Sequence, residues 1–311
     1  MNLINDCNLP KPVLDAFEIN STMYNPGKTD YSPSNIMLGA KEYWYKKRSK
    51  LTSRKVSDGW SAFIGTLIHI GFEYLLKKYT GPGSYKLEQH LELEMYGKIV
   101  GGTIDGAYYN PDGNITIFDY KTLQGKQFID EDKIKEWTVK ANMYKYLIKK
   151  IKNITVTNLI YIGVWRDWKK SAYLDNQELI PTQAVVLDVW SHQETEEYIK
   201  TRIEYFEQYK DSPIDSIPYC RNVERWNKKR EWKVGKVVAG KVPKGLPKMS
   251  YDSLLKAEIA MGERSMSKPK ETLGIKVVGG DSPKCRNYCD YRHLCPFLSE
   301  HPDGELEDGE E

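Results

Sequence analysis

The sequence predicts an α/β chain whose core elements run α-β-β-β-α-β, with a C-terminal lobe pinned by cysteines after it. Three observations predict this. Two strand-like runs, 99–109 and 114–122, flank Asn110-Pro-Asp-Gly-Asn114, a strong turn former. An apolar helical segment at 60–78 precedes them, and an amphipathic one at 132–151 follows. Four of the five cysteines fall after residue 212, where composition becomes basic and aromatic.

The remaining elements follow in order. Residues 1–30 read as irregular. Ser32-Pro-Ser-Asn opens a helix through Lys50, ending in the basic cluster Lys46, Lys47, Arg48 and Lys50. The 60–78 helix is apolar nearly all round, so burial is expected. Gly81-Pro-Gly breaks it. Residues 85–96 alternate Leu87, Leu91 and Leu93 with Glu88, Glu92 and Glu94, the period of a strand. Residues 154–165 read as a buried strand, 184–190 as another, and 192–210 as a helix. This divides the chain into an irregular segment (1–30), a core (31–211), a four-cysteine lobe (212–300) and an acidic tail (301–311) expected to be disordered.

Bulk numbers narrow the function classes. The 311 residues are 40% hydrophobic and 29% charged, as in soluble globular proteins. No apolar run is long enough to span a membrane, and the first 20 residues lack a secretion signal, so a cytoplasmic, reducing location is expected. Net charge is +3, but six acids follow Pro302; without them the rest carries +9. A basic body of that kind suits a polyanion partner.

The hairpin carries the chemistry. With the turn centred on Asp112, cross-strand partners have numbers summing to about 224, and Asp105 lies opposite Asp119. Such facing residues hold their Cβ atoms about 4.5–5.5 Å apart. Two carboxylates that close repel unless a cation lies between them. Asp119 and Lys121 are two apart and share a face. A divalent-metal site beside an ammonium suits phosphodiester hydrolysis, with metal-activated water and charge stabilisation by lysine. The simpler alternative is a solvated hairpin with an ordinary Asp–Lys pair. The apolar flanks Ile104, Ala107, Ile115, Ile117 and Phe118 count against it.

Other residues join the hairpin. Gly65, His69 and Glu73 recur every four residues on the apolar helix, a polar stripe that either bonds internally or lines a site. Lys140 and Tyr144 share a face of the later helix and can contact a DNA backbone. On residue type alone, a surface lysine and a core-edge tyrosine explain them better. Cys285-x3-Cys289-x5-Cys295, with Cys220 upstream, suggests a metal rather than disulfides. Four thiolates can hold a cubane iron–sulfur cluster or a zinc ion, and His293 can replace one thiolate in a Cys3His zinc site. Cys7 has no assigned role. Trp226 to Lys248 interleaves lysines and arginines with two Trp and three Gly, and reads as a basic hairpin or flap able to meet single strands or duplex ends.

Together, Gly65-Thr-Leu-Ile-His69, Gly102-Thr-Ile-Asp105-Gly, Asp119-Tyr-Lys121-Thr and a following helix with a tyrosine resemble the PD-(D/E)XK nuclease superfamily. The α-β-β-β-α-β order is similar to its restriction-endonuclease-like core, a mixed sheet flanked by helices. Within it, the chain looks most like the RecB-like branch, which includes CRISPR-associated and phage-type exonucleases. Pro218-Tyr-Cys220 with Glu224-Arg-Trp226, Arg166-Asp-Trp168 and the late cysteine triplet resemble the phage-type members. The resemblance covers about residues 31–297.

The resemblance implies that Asp105, Asp119 and His69 hold Mg²⁺ or Mn²⁺ and act in catalysis, with the Tyr120 carbonyl completing the inner shell. Lys121 is implied as the catalytic lysine. Tyr144 matches the tyrosine of a Gln-x-x-x-Tyr motif that contacts DNA, whereas Lys140 stands at the glutamine position. Glu73 is placed with these DNA-contacting residues. Cys220, Cys285, Cys289 and Cys295 are implied to bind a structural [4Fe-4S] cluster. Glu42 stands near the place where many iron–sulfur members have their first cysteine. The implied activity is a deoxyribonuclease, most simply an exonuclease resecting DNA ends in phage-type recombination, repair or replication. A strand-annealing protein or a separate helicase is the implied partner. The alternatives are a structure-selective endonuclease on the same core, a non-catalytic DNA-end-binding subunit, and a zinc-binding interaction protein.

Overall fold

The computed structural model describes residues 2–23, 28–50, 53–125, 129–176, 179–227, 230–238, 240–242, 245–302 and 304. The elements begin β1 (Asn2–Ile4), α1 (Lys11–Met23), α2 (Ala40–Arg48), β2 (Ser53–Lys55), α3 (Val56–Leu76), β3 (Ser84–Met95), β4 (Lys98–Tyr109) and β5 (Ile115–Leu123). They continue α4 (Glu131–Lys152), β6 (Asn158–Trp165), α5 (Lys170–Asp175), β7 (Thr182–Val186) and α6 (His192–Glu207). The C-terminal part holds β8 (Glu231–Lys236), β9 (Gly245–Tyr251), α7 (Leu254–Ser267), β10 (Leu273–Val278) and α8 (Phe297–Glu300). Two compact units result: Met1–Met37 with Lys50–Lys210, and Leu38–Ser49 with Asp211–Glu311. Among the described residues, no helix is long and apolar enough to cross a membrane.

The first unit is a mixed α/β layer structure. Its five-stranded sheet has the order β3-β4-β5-β6-β7, with β5 and β6 parallel and the other neighbours antiparallel. Helices flank it, and α3-β3-β4-β5-α4-β6 follows the expected order. The core forms where Val100, Ile104, Ala107, Ile117 and Leu159 from the strands meet Trp137, Ala141 and Leu147 from α4, all nearly inaccessible. Each is apolar and removes area from water at roughly 25 cal/mol per Å². Two turns set the sheet register. At Tyr96-Gly97 both residues have positive φ (53° and 69°), the mirror-image turn whose twist matches paired strands. At Asn110–Asn114, Gly113 takes φ 86° and the Asp112 carboxylate accepts from the Asn114 amide.

Four expectations are corrected here. Residues 1–30 are not irregular throughout: β1 pairs in parallel with β2, and α1 buries Phe17 against Phe63 of α3. The helix expected from Ser32 begins only at Ala40. Ser32 and Asn35 cap a turn instead, and Gly39 is the residue before the helix. That helix, read from sequence as part of the core, belongs to the second unit. Finally, α3 is not buried all round. Its N-terminal half buries Val56, Gly59 and Phe63, but Leu67, Ile70, Tyr74 and Leu75 are exposed. Hydropathy alone could not reveal this, because the apolar residues on the open side match those on the packed side.

The second unit contains a three-stranded antiparallel sheet in the order β10-β8-β9, with α7 packed on it. The basic segment expected as a hairpin supplies β8 and β9. The sequence reading missed α7 and β10. The acidic tail expectation lies almost wholly outside the described residues.

Candidate functional site

The β4–β5 ladder pairs Gly106 with Phe118 through to Tyr109 with Ile115, each pair summing to the expected 224. The ladder ends there, and the next rung would be Asp105 opposite Asp119. In its place, the Tyr120 amide donates to Asp105 Oδ2 at 2.8 Å. The Asp105 carboxylate and the Tyr120 backbone thereby meet inside the two strands, where their mutual pairing stops, and Asp119 is the residue before Tyr120. Gly106 is needed beside them, because a Cβ there would meet the Phe118 ring at 2.1 Å.

Helix α3 supplies the histidine. Phe72 stacks on Tyr120 with centroids 4.0 Å apart and planes at 3°. That contact sets the helix against β5, and His69, one turn earlier, reaches both neighbours of the gap. Its Nε2 lies 2.7 Å from the Tyr120 carbonyl and its Nδ1 3.2 Å from Asp105 Oδ2. Hydrogen bonding and charge from Asp105 raise the imidazole above its ordinary value despite burial, which works the other way. Burial likewise opposes ionisation of Asp105, but His69 and Lys121 outweigh it and hold the carboxyl below its usual range.

Asp119 is almost fully buried and forms an ion pair with the Lys121 ammonium. Burial dominates and raises its carboxyl, with the Asp105 charge adding to the effect. The Lys121 ammonium lies 5.4 Å from the centroid of the Tyr161 ring. Asp119 and Asp105 together keep it charged against the cost of burial.

A residue the sequence reading passed over completes the cleft. A ring nitrogen of His69 and carboxylate oxygens of Glu88 and Asp105 all lie within 4.8 Å of one another. The cleft they share is lined also by Glu73, Leu76, Leu87, Phe118 and Tyr120. Alternation had placed Glu88 outward with Glu92 and Glu94. The structure gives it φ 46°, and the otherwise continuous β3–β4 ladder skips only the Glu88–Asp105 pair. A signal did exist: a two-residue turn at Tyr96-Gly97 sets sums of 193 and so places Glu88 opposite Asp105.

The other candidate residues are placed as follows. Glu73 lines the cleft and pairs with Lys77 at 2.5 Å. Lys140 pairs with Glu136 at 2.5 Å, and burial lowers its ammonium. The Tyr144 hydroxyl donates to the Thr103 carbonyl at 2.8 Å, two residues from Asp105. Tyr144 also packs close to Gly102, where an added Cβ would lie 3.1 Å from the hydroxyl.

The second unit brings the four late cysteines together. Cys220, Cys285, Cys289 and Cys295 line one cavity with Lys41, Glu42 and other side chains; His293 is not among the lining residues. All four are free thiols, and Cys7 is exposed elsewhere. Burial raises each: Cys285 to about 11 and Cys289 to about 12, with Cys220 and Cys295 raised as well. Among the described residues, no three of these sulfurs lie within 4.8 Å of one another. Gly39, just before α2, lies against Cys220, and a Cβ on it would meet the Sγ at 2.4 Å. Glu42, on α2, pairs with Lys284 at 2.5 Å.

Fold and site thus define an α/β protein with a mixed sheet flanked by helices, a histidine–carboxylate cleft in one unit and a four-thiol cavity in the other. No protein-family model matches the chain, and no curated protein matches it. Among solved structures, the protein SSO0001 is similar with 15% identity and a TM-score of 0.42, over 65% of this chain and 86% of that one. A proposed exonuclease from Eubacterium rectale is similar with 11% identity and a TM-score of 0.37, over 66% of this chain and 87% of that one. These likenesses are slight, and the function proposed next is built on this chain's own residues.

Proposed function

We propose that the chain is a Mg²⁺- or Mn²⁺-dependent deoxyribonuclease that removes nucleotides from DNA ends. The observation that carries the reading is the parting of β4 and β5 at Asp105 and Asp119, with Lys121 paired to one carboxylate and His69 to the other. The donor set suits a divalent cation: Asp105 and Asp119 supply carboxylates, and the Tyr120 carbonyl lies beside them. When bound, the ion would polarise a phosphate oxygen and acidify water.

The chain's own residues do the rest. Lys121 is held charged by Asp119 and supplies a fixed positive group where charge develops on the attacked phosphate. Asp105 is fixed by the Tyr120 amide, so its second oxygen keeps its direction. His69 ties the Tyr120 carbonyl to Asp105. Glu73 lines the cleft, while Lys140 and Tyr144 lie on α4 and contact the DNA backbone only if their present bonds to Glu136 and Thr103 exchange.

The thiol cavity is read as a structural iron–sulfur site. A single zinc ion, with Zn–S bonds of about 2.3 Å, would draw four sulfurs to roughly 3.8 Å of one another. Among the described residues no three of the sulfurs are within even 4.8 Å of one another, which favours the larger cubane cluster. The raised thiols mean that assembly releases protons. A cytoplasmic setting with a strand-annealing protein or a helicase as partner belongs to the same proposal.

Release of acid-soluble nucleotide from linear DNA tests the reading, with Mn²⁺ or Mg²⁺ against excess chelator. Metal-dependent release is expected; equal release with chelator overturns it. The anaerobically purified protein should absorb broadly near ~400 nm, as thiolate-bound clusters do. A colourless protein containing zinc overturns the cluster assignment.

A further inference from the structure

The geometry points to Tyr161, on β6, as a positioning residue of the cleavage site: its ring holds the Lys121 ammonium, and its hydroxyl donates to a water shared with the Asp119–Lys121 pair. The inference rests on the nuclease reading above and adds a residue that reading does not use.

The strands bring these groups together. β5 and β6 run parallel, with Asp119 beside Tyr161 and Lys121 beside Gly163. Neighbouring strands lie about 4.7–4.9 Å apart, and paired residues project to the same face of the sheet. Gly163 puts no side chain next to Lys121, and a Cβ there would meet Leu123 Cδ1 at 2.7 Å. The Lys121 ammonium lies over the Tyr161 ring, 5.4 Å from its centroid, within reach of a cation–π attraction. Trp137 of α4 packs against the same ring, with centroids 5.3 Å apart, and fixes it in place.

The hydroxyl is what needs explaining. β6 buries Leu159, Tyr161, Gly163 and Trp165 on one face, and Tyr161 is only 1% exposed. A phenylalanine would fill that position with the same ring. Buried tyrosine hydroxyls normally find a hydrogen-bond partner, because stripping one of water without replacement is costly. Among the described residues, the Tyr161 hydroxyl has none. Its surroundings are polar nonetheless: the charge of Asp119 acts on it most strongly, followed by Tyr144, Asp105 and Glu136. An unsatisfied donor beside a carboxylate–ammonium pair marks a place for an added oxygen.

The enclosure identifies that oxygen. A phosphodiester carries a nucleoside on each side and does not reach a hydroxyl so completely covered. A water does, and buried waters typically bond about three otherwise unsatisfied polar groups. The Tyr161 hydroxyl and the Lys121 ammonium would donate to it, and the Asp119 carboxylate would accept from it. Tyr161 thus acts on the phosphate only through Lys121. Ring and water together keep the ammonium aimed where charge develops.

The test compares single-turnover cleavage of linear DNA with Mn²⁺ by wild type, Tyr161→Phe, Lys121→Ala and the double variant, with urea unfolding of each. Tyr161→Phe keeps the ring and loses only the hydroxyl, so it should remain folded. Its saturating rate should fall about 10-fold, as when an outer-shell partner is removed from a metal site, with the half-saturating concentration unchanged. In the Lys121→Ala background the same substitution should have no further effect, because residues that act as a unit are not additive. A wild-type rate in Tyr161→Phe, or equal losses in both backgrounds, overturns this inference and leaves the nuclease reading standing. Failure of Tyr161→Phe to fold would show the hydroxyl to be structural and overturns it as well. No cleavage by wild type overturns both the nuclease reading and this inference.

Discussion

At the residue scale, the site turns on one pair. Asp119 and Lys121 are two apart on β5 and their charges meet below the surface. Removing the ammonium leaves a carboxylate that is only 7% exposed without its partner. Lys121→Ala should therefore lower DNA cleavage by roughly 10²–10³, the range for losing one fixed charge-stabilising group. It should also destabilise the fold by about 1–3 kcal/mol, because Lys121 is partly open to solvent and the pair is not fully desolvated. Urea unfolding and single-turnover cleavage check the two effects. Cleavage within twofold of wild type would remove Lys121 from the chemistry. This part of the site was legible in sequence, because the turn at Asn110–Asn114 and the two-residue period fix it. For Glu88 only the register was legible, through the Tyr96-Gly97 turn; its left-handed backbone was not, since no propensity marks a glutamate for that conformation in a strand.

At the element scale, register and close approach decide what the residues can do. The strand order and the turns were readable because alternation and turn chemistry are local. The surface of α3 and the extent of α2 were not. Both depend on which face finds a partner, and that is a tertiary outcome. Gly39 gives the clearest test of α2. A methyl group there collides with Cys220, so Gly39→Ala should displace that thiol and lose most of the ~400 nm absorption expected of the cluster. Retained absorption would separate Cys220 from the cluster.

Helix α6 offers a separate pH test. His192 is its first residue, and burial, then Lys145, Lys150 and Lys149, lower its imidazole from an ordinary value of 6.5. The folded state thus resists a proton that the unfolded chain accepts. Stability present above that value is lost as pH falls through it. The stability of wild type relative to His192→Gln should decline between about pH 7 and 5, measured by urea unfolding. A pH-independent difference would contradict the assignment.

At the scale of the whole molecule, two chemistries occupy two compact units: carboxylates, histidine and lysine in one, and four thiols in the other. The order of the core and the membership of the thiol set were visible in sequence, because motif spacing and cysteine clustering survive without tertiary detail. The interleaving of Leu38–Ser49 with the C-terminal segment was not, because a discontinuous unit has no local signature. The central claim is that the parted hairpin hydrolyses DNA from its ends. End-labelled linear duplex incubated beside a closed circle, with Mn²⁺ and with either wild type or Asp119→Ala, tests it directly. The account predicts loss of the linear DNA alone and no loss with the variant. Cutting of the circle, or equal cutting by Asp119→Ala, would contradict it.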